Sequence, residues 1–430
     1  MKLNYARTLL IGFAFMSISA FWQLYDSIIP KILTYSFGVE PTARGVIMAM
    51  DNVLALVLLP LFGVLSDRCS TKLGKRTPFI LFGTAGAIAA MMTMSLAADR
   101  VNFIMFIVAL GLALVAMGTY RSPAVALMPD LTPPALRSKA NAIINLMGAL
   151  GGVYTLGFIS LLVKEGGSYI PIFACVAGLM AVSVLILTLT VNERKIRRKL
   201  EAEGVRFDEL PQSETGDSEA QTDKKLPRDV KRSLWLLLIS VFLWFTAYNA
   251  VTSAYSVYAQ EIWGLTGGSF ASGMMVAMIA AVVAFVPIGY LSTIFGRKKV
   301  ILVGIVLIAV AFGGMIFVKS YSGLVYVLLV TVGAGWASIN VNSYPMVVQM
   351  GRAGDIGKYT GIYYTFSMAA QIITPILSGW FIEMLGYKAL FPYAFLFSVA
   401  AFAVFCFVKH GDSRPPKPAS LLENFDSEND

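Results

Sequence analysis

The chain has 430 residues, of which 57% are hydrophobic and 14% charged, and its mean hydropathy is +0.72. One or two water-bounded cores could not hide that much apolar surface, so a soluble protein is excluded and lipid is the solvent for much of the chain. The three cysteines, Cys69, Cys175 and Cys406, show no metal or redox spacing, and the single histidine, His410, falls in a polar tail, so neither a metal site nor a cofactor is expected.

A helix crossing a hydrocarbon layer about 30 Å thick needs roughly 20 residues. In chain order the apolar stretches predict twelve: 8–30, 43–66, 78–98, 101–128, 140–163, 169–191, 233–258, 269–294, 300–318, 322–349, 359–382 and 389–408. Met1–Arg7 before an apolar run is shaped like a signal peptide. Eleven further spans and the polar content of 19–26 favour a retained first helix.

Lys and Arg distribute unevenly about these spans. With both termini cytoplasmic, the short cytoplasmic segments hold sixteen, while the external side holds six: Lys31, Arg44, Arg100, Lys164, Lys319 and Lys388. The long segment 192–232 is discounted, and the orientation still satisfies the positive-inside rule. The formal net charge of +9 therefore follows membrane topology and is no sign of a nucleic-acid partner.

Six spans lie on each side of 192–232. The segment begins with the basic run Glu193-Arg-Lys-Ile-Arg-Arg-Lys199 and carries acidic and small polar residues over 207–223, as a disordered or weakly helical cytoplasmic linker would. The predicted organisation is an N-terminal six-helix bundle (1–191), the linker (192–232), a C-terminal six-helix bundle (233–409) and a cytoplasmic polar tail (410–430). The halves echo each other: Gly63-Val-Leu-Ser-Asp-Arg68 with Gly74-Lys-Arg76 joins spans two and three, and Gly289-Tyr-Leu-Ser292 with Gly296-Arg-Lys-Lys299 joins spans eight and nine. Facing repeats suit alternating access to one central site.

These residues resemble a major facilitator superfamily transporter, and more narrowly the sugar carriers of the glycoside-pentoside-hexuronide cation symporter and sucrose/proton symporter groups. The general superfamily loop is Gly-x-x-x-Asp-Arg-x-Gly-Arg-Arg. Here Cys69-Ser-Thr-Lys-Leu73 separates Arg68 from Gly74, and the longer version, Pro60-Leu-Phe-Gly63 through Asp67, Gly74-Lys-Arg76 and Pro78, resembles both sugar-carrier groups. Ser122-Pro-Ala-Val-Ala-Leu-Met-Pro-Asp-Leu-Thr132 is similar to the end of their fourth helix. Asn342-Ser-Tyr-Pro345, with Gly361, Gln371 and Pro375, is similar to helices ten and eleven of sucrose carriers. The resemblance implies an all-α membrane protein, twelve transmembrane helices in two six-helix bundles, the major facilitator fold. One departure shifts weight from sodium to protons: melibiose-type carriers have cation-site aspartates in the second helix where this chain has Ala55 and Leu59.

Charge at membrane depth is costly and marks function. Asp51 lies roughly 5 Å to the external side of the second span's midpoint; it is read as the coupling acid, a hydrogen-bonding partner for substrate, or a structural group paired with Asn52. Asp26 lies nearer the external edge, among Trp22, Gln23 and Tyr25, which offer aromatic faces and an amide to a sugar. It is either a cavity-rim carboxylate or a binding or coupling group. Arg121 is the one cation well inside a predicted span, able to pair with either acid or to donate to substrate. The C-terminal half supplies neutral groups near midplane: Trp244, Tyr248, Asn249, Trp336, Asn340, Asn342 and Gln371. Amides and aromatic rings suit an uncharged, hydroxyl-rich ligand better than an anion.

The fold that the resemblance implies brings Asp67, at the end of the second span, towards Gly357-Lys358 when the cytoplasmic side closes. Gly63, Arg68, Gly74, Lys75, Arg76, Gly296 and Arg297 complete the expected conformational gate. The expected function is proton-coupled symport of a glycoside or disaccharide such as sucrose or maltose, by a monomer in the cell membrane whose partners are lipid and a small sugar. A drug or hydrophobic-cation/proton antiporter and a sodium-coupled sugar symporter are alternatives; a non-transporting sensor is disfavoured. With no His/Cys/Asp cluster or catalytic loop in the sequence, no enzyme is expected.

Overall fold

The computed structural model describes residues 3–202, 227–350 and 356–412. Residues 207–223 of the linker, most of the tail, and Lys2, Arg206, Lys224, Lys225, Arg352, Arg414 and Lys417 from the charge distribution lie outside the described residues.

Among the described residues twelve helices are long and apolar enough to cross a membrane, making this a multi-pass membrane protein. Helices dominate because hydrocarbon offers the backbone no hydrogen-bonding partner outside its own turn. One bundle contains α1 (Tyr5–Lys31), α2 (Pro41–Arg68), α3 (Thr77–Asp99), α4 (Phe103–Asp130), α5 (Arg137–Leu162) and α6 (Ile170–Thr190). A short α7 (Glu193–Ala202) follows. The second bundle contains α8 (Arg228–Trp263), α9 (Ala271–Phe295), α10 (Arg297–Met315), α11 (Gly323–Met350), α12 (Ile356–Leu385) and α13 (Leu390–Cys406). Local chemistry starts and stops them: the side chains of Asn4 and Asn102 accept the N–H groups of Arg7 and Met105, each at 3.0 Å, and Gly264 ends α8 in the left-handed region.

The first and seventh spans run well beyond the apolar stretches that predict them. Lys31 ends the first apolar run, yet it is buried and donates to the Gly267 carbonyl at 2.6 Å, so the helix continues through a π turn over Ile32–Ser36. The extension moves Asp26 away from the edge where the shorter span had placed it. The seventh span grows at its polar start, where Arg228–Arg232 form helical turns after Pro227. The linker's basic head, expected to be disordered or weakly helical, is a helix over Glu193–Ala202.

The repeat seen in sequence has a structural basis. Ser66 and Ser292 are both buried, and each hydroxyl bonds a carbonyl of its own helix. In the first bundle Arg76 donates to Asp67, to Asp130 at 2.9 Å and to Ser66, tying the ends of α2 and α4 to the start of α3. Glu193, 4% exposed, accepts the N–H groups of Lys75 at 2.9 Å and Arg76 at 3.1 Å, and both the N–H and the hydroxyl of Thr77. A negative charge there satisfies orphan amides and meets the positive end of the α3 dipole. Gly74, with φ +121°, passes so close that a Cβ would collide with that carboxylate. The second bundle does the same with Asp412, which accepts the Lys298 N–H at 3.0 Å at the start of α10.

Glu193→Ala is expected to remove the acceptor from three backbone amides and destabilise the chain by about 1–3 kcal/mol. Thermal unfolding in detergent checks this, with Glu193→Gln falling between the two.

Candidate functional site

Between the bundles lies a cavity of about 470 Å³, well within the size of small-molecule sites. The first bundle lines it with Ser19, Trp22, Gln23, Asp26, Arg121 and Asn145, and the second with Tyr248, Asn249, Thr252, Tyr255 and Trp336, among apolar neighbours. Trp22, Gln23 and Asp26 project from one stretch of α1, with Trp22 and Asp26 a turn apart on one face. Opposite them the rings of Tyr248 and Trp336 stack at 3.7 Å and 6°. They form a flat apolar wall.

The polar groups in this cavity are under-used. Asp26 has no hydrogen-bond or ion-pair partner among the described residues, and Trp22 Nε1 and Asn249 Nδ2 are buried donors without one. Gln23 donates to Ser27 at 2.9 Å, leaving its carbonyl. The Arg121 guanidinium sits over the Trp22 ring, 5.8 Å from its centroid. Asp51 is not among the lining residues. Its carboxylate takes the backbone and side-chain N–H groups of Asn52, and it lies within electrostatic range of both Asp26 and Arg121.

Several residues predicted to meet substrate lie elsewhere. Tyr25 is 2% exposed and donates to the Met48 carbonyl at 3.2 Å, fastening α1 to α2. Trp244 packs edge-on against Phe405 of α13. Asn342 donates to its own helix at Ser338, Asn340 is buried in α11, and Gln371 is half-buried on α12. None of the six, counting Asp51, lines the cavity. Conversely Asn145, Thr252 and Tyr255 line it unpredicted; scanning the fifth span for polar residues would have found Asn145.

Among the described residues, contacts between the bundles close the cavity at one end. At the end opposite the termini, Tyr35 donates to Glu261 at 2.7 Å, Arg44 donates to Tyr387 at 2.7 Å and to Thr34 at 2.7 Å, the Thr42 N–H meets Glu383 at 3.1 Å, and the Gly268 N–H meets the Val163 carbonyl at 2.8 Å. Here α2 and α12 touch backbone to backbone: a Cβ on Gly45 would fall on the Pro375 carbonyl, and one on Gly379 on that of Pro41. Towards the other end α2 exposes Leu56, Val57, Leu61 and Val64, and Asp67, Arg68 and Lys358 are all exposed. There Asp67 pairs with Arg76 of its own bundle. Gly63 packs near Ser122, Lys75 and Gly74 meet Glu193, Gly296 lies against Asp412, and Arg297 begins α10.

The architecture has named counterparts. The family description "Major Facilitator Superfamily" matches residues 11–349 and 275–426. The chain belongs to the Major Facilitator Superfamily. Its helices superpose on the nucleoside transporter NupG with a TM-score of 0.69 at 13% identity, over 94% of this chain and 100% of that one. A bacterial homologue of the iron transporter ferroportin in an inward-facing state gives 0.68 at 12%, over 94% and 99%. These likenesses concern the fold. Superfamily and fold together are those of transporters and not of enzymes.

In sequence this superfamily member is distantly similar to sugar carriers. The sucrose transport protein SUC3 of Arabidopsis thaliana is 30% identical over 158 residues, 32% of this chain and 26% of that protein. The general alpha-glucoside permease of Schizosaccharomyces pombe is 22% identical over 241 residues, 51% and 42%. The chain thus matches less than half the length of each.

Tyr387→Phe removes one of two oxygens bonded to a guanidinium that is 3% exposed, weakening the closed end by about 1–3 kcal/mol. A cysteine at Ser19, with the three native cysteines replaced, reports the effect: its labelling by an impermeant maleimide from the open end should fall as the alternative state gains population, by about threefold for a shift of about 1 kcal/mol from evenly populated states.

Proposed function

We propose that this chain is a proton-coupled symporter of a glycoside, a disaccharide such as sucrose or maltose, working by alternating access with both termini in the cytoplasm. One observation carries the reading: an unpaired carboxylate, Asp26, shares a cavity between the two bundles with aromatic faces and unpartnered neutral donors. The relatives' names point the same way, since they include sucrose transport proteins, an alpha-glucoside permease and the proton-associated sugar transporter A of Rattus norvegicus, 27% identical over 179 residues.

The charge rule makes the closed end external and the conformation inward-open. Sugar rings stack their apolar faces on Trp22 and on the Tyr248 and Trp336 wall, while Asn249, Gln23 and the Trp22 N–H bond hydroxyls. Arg121 is placed to donate to a ring or hydroxyl oxygen. When both ends close, a bare carboxylate would be sealed away from bulk water at high cost. A carrier that closes with Asp26 neutral moves its proton with the sugar; Asp51, one shell behind and already bonded to Asn52, tunes that charge. On the cytoplasmic side, Asp67 then meets the start of α12 near Lys358 in the outward-open state. Rocking of the bundles exposes the same cavity alternately.

Proteoliposome uptake of sucrose and maltose, with proton and sodium gradients imposed separately, is the test. Accumulation should follow the proton gradient and be lost in Asp26→Asn, while Asp51→Asn should weaken coupling. Unchanged proton coupling in both variants would sink the assignment, as would uptake driven by sodium alone. Trp22→Ala is expected to raise the KM for sugar about two- to tenfold, the loss of one stacking face.

A further inference from the structure

We propose that α7 and the turn between α2 and α3 form a docking surface for anionic phospholipid headgroups of the bilayer. α7 is two-sided. Glu193 and Leu200 are buried and Ile196 packs on the core, so one face lies against the bundle; Arg194, Lys195, Arg198 and Lys199 are exposed on the other. Arg194 donates to Ser70 at 3.3 Å, which joins this face to the α2–α3 turn, where Arg68 and Lys72 are also exposed. Among the described residues beside it, Glu193 bonds the start of α3, Asp67 pairs with Arg76, and Glu201 pairs with Arg197 at 3.0 Å.

Position selects a bilayer over a soluble polyanion. Leu185 and Leu189 on α6 are 56% and 76% exposed, as side chains facing hydrocarbon would be, and Leu189 precedes Arg194 by five residues. The headgroup layer therefore meets the chain where these cations begin. Clustered Lys and Arg immediately beyond a transmembrane helix attract anionic lipid by about fivefold per cation, and an amphipathic helix at that level presents them in the interfacial plane. Because Glu193 also caps α3, bound lipid would hold α7 against the junction where Arg76 ties α2, α3 and α4 together. The surface is separate from the transport cavity and does not rest on the assigned substrate.

Native mass spectrometry of the full-length protein in neutral detergent, titrated with phosphatidylglycerol or phosphatidylcholine, tests the proposal without a transport assay. Phosphatidylglycerol should be retained at least about tenfold better, and about 0.5 M salt should erase most of the difference. The variant R194Q/K195Q/R198Q/K199Q should lose at least about fivefold of the preference. R194K/R198K should keep it, as should R100Q/K319Q/K388Q, which removes cations from the opposite end. Equal retention of the two lipids would overturn the proposal, as would a preference that survives the four glutamines or falls equally in the opposite-end variant. Displacement of phosphatidylglycerol by inorganic phosphate at equal concentration would show a small-anion site instead.

Discussion

Hydrocarbon leaves a backbone amide nothing to bond except its own helix, and the rest of this structure follows from that restriction. Twelve helices satisfy their amides internally, so chemistry is left to side chains and to the seam where the bundles face each other. Charges that enter the membrane domain are held to specific duties. Lys31 and Arg44 bond across the closed end, Asp51 is engaged by Asn52, and Asp26 and Arg121 face the cavity. Asp26 stands out as a cavity carboxylate without a hydrogen-bond or ion-pair partner among the described residues, whereas the Asp51 carboxylate behind it is bonded to Asn52.

The two ends of the seam use different forces. At the closed end, small residues let α2 and α12 approach to backbone contact, and a belt of polar side chains bonds across the bundles. At the open end the charged groups bond within their own bundle: Arg76 with Asp67 and Asp130, Glu193 with α3, Asp412 with α10. Each bundle can thus remain rigid while the contact between them changes. Paired caps at α3 and α10 give the internal repeat a mechanical meaning, since both third helices are pinned by an acid arriving from beyond the sixth.

Helical spacing alone places some of the cavity residues. Trp22, Gln23 and Asp26 share one face of one helix, and Tyr248, Asn249 and Trp336 reach the same cavity from the other bundle. Spacing is blind to direction around each helix. Tyr25 is adjacent to Asp26, yet it points into the α1–α2 contact; Trp244, one turn from Tyr248, packs on α13. Depth along a span is written in residue number, whereas the face turned to the cavity depends on how neighbouring helices are rotated. The closed-end partners Tyr35 with Glu261 and Arg44 with Tyr387 are more than two hundred residues apart in sequence, so no local pattern announces them.

By itself the sequence determined the solvent, the number of spans, the division into two echoing halves and the residues whose burial needs a reason. All of these follow from composition and period, which act over a few turns of helix. Tertiary structure alone decided that Lys31 lies inside a helix rather than ending one, that Asp26 and Arg121 share a cavity while Asp51 stands behind it, and that the seam is shut at one end. Those outcomes depend on contacts between helices distant in sequence, where a rotation of a single helix exchanges a lining residue for a packing one.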